Sequence, residues 1–222
     1  MALLAGCHSA PAQPQRLSAQ AVPMQPAPVL APSSPVSTLG PAAGQGASSD
    51  PANSVVIPPR AAQQYNQALQ LMKSGRNTDA ELEFKQLVVA YPQFAGPQLN
   101  LGLLYLRDSR LAEAEGAFKA ALQLAPSNAV AGDELGIVER KLGKFTDAET
   151  AYLRAIAAEP NYAPAHLNLG VLYDLYMAEP QKALQQFERY IEIAGENKQV
   201  AGWVVELRKR VGSSAAPKKA PA

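Results

Sequence analysis

Residues Gln98–Pro126 read QLNLGLLYLRDSRLAEAEGAFKAALQLAP, and their pattern of small, aromatic and proline residues recurs along the chain. The anchor residues of this segment are Leu101, Gly102, Tyr105, Ala114, Phe118, Ala121 and Pro126. Pro92, Pro126 and Pro160 lie 34 residues apart, and similar anchors precede each of them. A fixed period of this length indicates a repeat architecture, in which stacked units bury a common core.

The spacing L-G-x-x-Y, then A-x-x-x-F, then P resembles the tetratricopeptide repeat. This resemblance covers residues 60–211 and implies an all-α solenoid of about four helix-turn-helix units. The predicted repeats are 61–94, 95–128, 129–162 and 163–196. Residues 197–211 are predicted to form a capping helix that packs on the fourth repeat, because Val200, Trp203, Val204 and Leu207 share one helical stripe.

Local signals predict where the helices begin and end. Gly75 and Gly143 stand where a first helix should end in a left-handed residue. The segments 78–81 and 146–149, TDAE in both cases, are predicted to be capping boxes that open second helices. In the fourth repeat the alanine and phenylalanine anchors come one residue late, which predicts a longer turn around residues 175–180. That turn is either a recognition feature or a tolerated insertion.

The segments outside the repeats have different compositions. Residues 8–59 contain eleven of the nineteen prolines, and Arg16 and Asp50 are their only formal charges. Such a segment cannot bury enough apolar surface to fold, so we predict a disordered tether. Extended, it could reach on the order of 150 Å. Residues 212–222 are predicted to be a disordered basic tail carrying Lys218 and Lys219.

The first seven residues, MALLAGC, end in a sequence that resembles a bacterial lipobox. The resemblance implies cleavage before Cys7 and lipidation of its thiol and amino group. His8 follows the cysteine in place of Asp, which in Gram-negative lipoproteins implies the outer membrane. A secretory signal also needs a basic segment and a longer apolar one. Only six residues precede Cys7, so either translation starts upstream or the match is a coincidence.

The resemblance also identifies candidate partner-binding positions on the first helix of each repeat. In repeats 1 and 2 these are Tyr65, Asn66, Leu69, Met72, Lys73, Leu99, Asn100, Leu103, Leu106 and Arg107. In repeats 3 and 4 they are Asp133, Glu134, Ile137, Arg140, Lys141, Leu167, Asn168, Val171, Asp174 and Leu175. The predicted groove is apolar in repeats 1 and 2 and charged in repeat 3, which favours an apolar or amphipathic partner segment.

Two details of the groove bear on its partner. Asn66, Asn100 and Asn168 occupy one repeat position, where an amide could bind a peptide backbone or could bridge neighbouring helices. Chaperone-binding members of the family hold a terminal carboxylate with a lysine at repeat position 5. This chain has Tyr65, Leu99, Asp133 and Leu167 there, so a co-chaperone role is not expected.

Composition argues against catalysis and against several classes of partner. The net charge is +1 with alternating signs in the repeats, so no nucleic-acid partner is expected. His8 and His166 cannot form a catalytic triad, and a single cysteine excludes an intrachain disulfide. We therefore expect a protein that is not an enzyme, with no cofactor, no metal site and no small-molecule substrate.

These observations favour a lipid-anchored, periplasm-facing scaffold of the outer membrane that binds another protein. Small repeat lipoproteins of this plan resemble the pilotins of type IV pilus and secretin systems. The segment Leu167–Tyr176 and the Trp203 helix also resemble repeat proteins that accompany ExbB–ExbD–TonB motors. The alternatives are a cytosolic interaction module without lipid and a structural tether associated with the cell wall.

Overall fold

The computed structural model describes residues 56–214 of the chain, and side chains as far as Gly212. Within this range the chain forms nine α-helices and no β-strand. The helices are α1 (Pro59–Lys73), α2 (Asn77–Ala90), α3 (Ala95–Arg107), α4 (Leu111–Leu124), α5 (Ala129–Lys141), α6 (Phe145–Ala158), α7 (Ala163–Leu175), α8 (Pro180–Ala194) and α9 (Lys198–Ser214). The predicted fold class, an all-α repeat solenoid, is confirmed.

Helices that follow one another in the chain pack together, and α9 packs on α8. In addition, α5 contacts both α3 and α7, so the first helices of neighbouring repeats lie side by side. Two described features lie just outside residues 60–211, the range that the sequence predicts for the repeats and the cap. Ile57, which falls in the predicted tether, packs against the core, and α9 continues three residues beyond 211.

The spacing within each helix pair is set by a glycine that faces an aromatic ring of the same repeat. A Cβ on Gly102 would lie 2.5 Å from Cε1 of Phe118, and a Cβ on Gly136 would lie equally close to Cε1 of Tyr152. Both rings are fully buried. Close packing of this kind leaves no room for an added methyl group, which explains the small residue at this repeat position.

The turns inside the first three repeats share one geometry. Gly75 and Gly143 are left-handed, with φ of 77° and 76°, as predicted, and Ser109 takes the same conformation with φ of 60°. The predicted capping boxes are wrong. Helices α2 and α6 already begin at Asn77 and Phe145, and neither has a side-chain cap. The left-handed residue fixes a three-residue turn, so each threonine falls inside its helix.

The fourth repeat has the longer turn that its sequence predicts. Helix α7 ends at Leu175 and α8 begins only at Pro180, with Ala178 at φ of 54°. The backbone N–H of Glu179 donates to the carbonyl of Tyr173 at 2.9 Å, which closes the turn.

The capping helix α9 covers the end of the fourth repeat. Val200, Val204 and Leu207 are buried, and the ring of Trp203 packs on Phe187 with 5.3 Å between centroids. The prediction that this tryptophan packs on the fourth repeat is confirmed.

Candidate partner-binding groove

The candidate binding residues lie on α1, α3, α5 and α7, the helices that line up side by side. Two hydrogen bonds between neighbouring first helices mark this face. The amide of Asn100 donates to the hydroxyl of Tyr65 at 2.8 Å, and the amide of Asn168 donates to Asp133 at 2.9 Å. The four helices therefore present one continuous surface, which we call the groove.

Four of the candidates are buried in the free chain, namely Met72, Leu99, Asn100 and Asp133. Met72, Leu99 and Asn100 belong to the core, and Asn100 is only 4% exposed. Both amide hydrogens of Asn100 are used inside the protein, because it also donates to the carbonyl of Gly96 at 2.9 Å. In this packing Met72, Leu99 and Asn100 offer a partner little accessible surface. For Asn100 and Asn168 the alternative reading, a bridge between neighbouring helices, describes the structure.

The accessible part of the groove in the first two repeats is apolar. Tyr65, Leu69, Leu103 and Leu106 are half-buried and rest against the core. Asn66 is exposed, as are Lys73 and Lys141 at the ends of their helices. Arg107 is exposed as well, but its guanidinium donates to the side chain of Asn77 on α2 at 3.0 Å, away from the neighbouring first helix.

In the third repeat, Ile137 and Arg140 are half-buried. The guanidinium of Arg140 lies 3.4 Å from the hydroxyls of both Tyr152 and Tyr176, and 5.5 Å from the centre of the Tyr176 ring. This arginine therefore joins α5 to α6 and to the end of α7.

Two carboxyl groups on α5 are the most perturbed ionisable groups of the groove. Asp133 is 3% exposed. Burial raises its pKa to about 7, against the opposing effects of the Asn168 hydrogen bond and the Arg140 charge. Burial also raises the pKa of Glu134 to about 7, and the neighbouring Asp133 adds to the shift. The sequence places both residues in the groove, but a linear pattern gives no measure of how deeply they are enclosed.

In the fourth repeat, Leu167 and Val171 are half-buried and pack against the second core cluster, while Leu175 is exposed. Asp174 accepts a hydrogen bond from Arg210 of α9. The capping helix thus reaches the end of the groove and compensates the charge there.

Residues 56–214 contain no group of three or more His, Cys, Asp or Glu side chains placed to hold a metal ion. None of the helices in this range has the length and hydropathy of a membrane span. His166, the histidine within it, bonds to Gln186 and to the carbonyl of Pro160, so it acts in helix packing. Cys7 lies outside the described residues.

Comparisons with known proteins agree with the fold. A family model described as tetratricopeptide repeat matches residues 60–129, and a second, described as TPR repeat, matches residues 136–174. No curated protein sequence gives a significant match. The protein in the crystal structure of MamA is 23% identical to this chain in sequence. The matched region covers 71% of this chain and 87% of the MamA chain, and the two structures superpose with a TM-score of 0.61.

Two further solved structures are similar in fold. PilF of Pseudomonas aeruginosa is 18% identical, covers 69% of both chains, and has a TM-score of 0.61. The first TPR domain of Spaghetti (RPAP3), solved with the HSP90 peptide SRMEEVD, is 19% identical. The matched region covers 53% of this chain and 93% of the Spaghetti domain, with a TM-score of 0.50.

Proposed function

We propose that this chain, built from tetratricopeptide repeats, is a non-catalytic scaffold whose groove holds a segment of a partner protein. The observation that carries this proposal is the row of half-buried apolar side chains along the groove. Its members are Leu69, Leu103, Leu106, Ile137, Leu167 and Val171. A continuous face with accessible apolar groups favours a peptide or helix laid across the repeats.

The chemistry of the groove argues against a partner that ends in an acidic peptide. The Spaghetti domain is bound to SRMEEVD, which carries three carboxyl side chains. In this chain, the positions where family members hold a terminal carboxylate are neutral or acidic. Tyr65 bonds to Asn100, Leu99 is buried, and Asp133 would repel a carboxylate.

We further propose that the scaffold is anchored in the outer membrane through lipid on Cys7 and faces the periplasm. The support is in the sequence, where a lipobox-like LAGC precedes a long segment rich in proline. An extended Pro-rich segment of this length spans on the order of 150 Å, enough to hold the repeats away from a membrane. The partner would then belong to an envelope complex, either of the pilus and secretin type or of the TonB type.

The groove is tested by a pair of charge substitutions with a matched control. Leu103→Glu with Leu106→Glu places two carboxylates among the apolar groove residues of α3. Leu82→Glu with Val89→Glu adds the same charge on α2, where these side chains are 56% and 84% exposed. Cross-linking in cells followed by purification should recover a protein with the wild type and the α2 variant but not with the α3 variant. Equal recovery with both variants would place the binding surface elsewhere.

The anchor is tested separately. Wild-type protein expressed from its native gene should incorporate labelled fatty acid and sediment with outer membranes. Cys7→Ser should abolish the label and release the protein into the soluble fraction. A Cys7→Ser protein that remains in the membrane fraction would refute the lipid anchor and leave the groove proposal untouched.

A further inference from the structure

We propose that the partner segment carries a lysine or arginine that binds at Glu134 and Asp133, beside apolar side chains that rest on repeats 1 and 2. This inference rests on the proposed function, because it specifies the chemistry of the segment held in the groove. The groove would then have an apolar part on repeats 1 and 2 and an acidic part on repeat 3.

The acidic pair is a departure from the repeat pattern. The corresponding two positions of the other repeats hold neutral residues, namely Tyr65 and Asn66, Leu99 and Asn100, and Leu167 and Asn168. Carboxyl groups therefore occur at this level of the groove only in the third repeat. A partner that crosses all four first helices would meet negative charge at α5 alone.

Within the described part of the chain no cation forms an ion pair with either acid, although the charge of Arg140 acts on Asp133. Asp133 accepts one hydrogen bond, from the neutral amide of Asn168, and no ion pair reaches it. Glu134 has neither a hydrogen bond nor an ion pair with any residue in 56–214. Arg140, on the same helix, is directed to the hydroxyls of two tyrosines. Asp133 is buried and Glu134 is half-buried, and a cationic group that joins such a carboxylate stabilises its ionised form.

Among the described residues, the other groups around the pair are largely neutral. The described groups that interact with the pair are Arg140 on α5, Tyr152 on α6, Tyr162 before α7 and Asn168 on α7. Asp133 and Glu134 both help to raise the pKa of Tyr162, in addition to burial. A negative potential that suppresses ionisation of a nearby phenol also attracts a cation.

The geometry gives the spacing of the recognition pattern. Neighbouring first helices lie about 10 Å apart, and an extended chain advances about 3.3 Å per residue. A segment whose apolar side chain rests on Leu103 or Leu106 of α3 would therefore place its basic residue about three positions away if it binds extended. Glu134, the less enclosed of the two acids, would make the direct contact, with Asp133 beneath it.

Ionisation of the pair makes the interaction sensitive to pH. Burial raises both pKa values to about 7, so below neutrality the carboxyls are increasingly protonated and their attraction for a cation weakens. Binding of a cation favours the ionised form and lowers these pKa values. Affinity for a basic segment should therefore rise between about pH 6 and pH 8, whereas a neutral segment of the same shape should show no such rise.

A display library of short random linear peptides, selected on the full-length chain, tests the inference. Peptides selected by the wild type should share a lysine or arginine at a constant distance from an apolar residue. Peptides selected by Asp133→Asn with Glu134→Gln should lack that preference. Glu196→Gln, which removes a charge from an exposed position between α8 and α9, serves as the control and should select like the wild type.

A selected peptide is then compared with its Lys→Gln version by calorimetry. Loss of one contact with an ionised group should weaken binding to the wild type about tenfold or more near pH 8, and much less near pH 6. The acid-to-amide variant should not distinguish the two peptides, and circular dichroism checks that it is folded.

Each remaining outcome decides one of the two proposals. Peptides that require Leu103 and Leu106 but carry no basic preference would overturn the inference and leave the groove function standing. Two outcomes would overturn the groove function and the inference with it. In the first, the selected peptides bind the Leu103→Glu, Leu106→Glu variant as well as they bind the wild type. In the second, the selection yields no binder.

Discussion

Replacing Gly102 by alanine tests whether the contact between glycine and the aromatic ring sets the spacing of each helix pair. Gly102 lies in the interior of α3, against the fully buried ring of Phe118. An added Cβ would lie 2.5, 2.7 and 2.8 Å from three carbons of that ring. Gly116, in α4 of the same repeat, has no atom within 4 Å of the corresponding Cβ position, so Gly116→Ala is a matched control.

The magnitude follows from two opposing terms. Alanine is favoured over glycine in a helix interior by about 1 kcal/mol, and both substitutions receive this gain. At position 102 the ring must also retreat by about 1 Å in a core without spare volume, and overpacking of this kind costs about 1–3 kcal/mol. Gly116→Ala should therefore raise the free energy of unfolding by about 0.5–1 kcal/mol, and Gly102→Ala should lower it by about 0–2 kcal/mol.

Urea denaturation followed by circular dichroism measures both variants under the same conditions. The difference between their free energies of unfolding, about 1–3 kcal/mol, isolates the ring contact because the helix-propensity term cancels. Adding Phe118→Leu to Gly102→Ala should recover part of the loss, since the flat ring that blocks the Cβ is removed. Equal shifts for the two glycine variants would show that the ring contact does not set the spacing.

Three further predictions concern the groove and the cap. The raised folded-state pKa of Asp133 means that folding favours its protonated form. Stability from this group is fully present below its ordinary pKa of 3.8 and is lost as pH rises to about 7, so the temperature of thermal unfolding should decline from about pH 4 to pH 7, and Asp133→Asn should reduce that decline. Asn100→Ala should cost about 1–3 kcal/mol in urea denaturation because a buried bridge is lost, whereas Asn66→Ala at the same position of repeat 1 should change stability by about 0.5 kcal/mol or less. Trp203→Ala should cost about 2–3 kcal/mol by removing the contact with Phe187, and proteolysis should then cut α9 first.

The features that repeat with the 34-residue period could be predicted because each is enforced by the same local contact in every unit. Gly102 and Gly136 stand opposite rings because the helices must approach closely, and Gly75 and Gly143 must be left-handed to end a helix. Such requirements act within a few residues or within one helix pair. A linear pattern therefore contains nearly all the information that specifies them.

The features that could not be predicted depend on contacts between repeats. Asn100 and Asn66 hold the same repeat position, yet Asn100 is buried and bonded to Tyr65, whereas Asn66 is exposed. The difference arises because a repeat precedes Asn100 and supplies a hydroxyl 35 residues earlier, while α1 is the first helix of the described range. Repeat position indicates which face a residue occupies, but its partner is set by the neighbouring unit.

Within residues 56–214, some residues that depart from the repeat pattern are bonded to other residues, and others are not. The longer turn of repeat 4 is closed by the bond from Glu179 to Tyr173, and the charge of Asp174 is matched by Arg210. Both departures are satisfied within the chain, so neither requires a ligand to explain it. The carboxyl of Glu134 is different, because it is half-buried beside a second acid and no residue in the described range forms a hydrogen bond or an ion pair with it. In a repeat protein whose scaffold positions are fixed by packing, we expect a departure of this kind to be compensated by a partner that supplies positive charge.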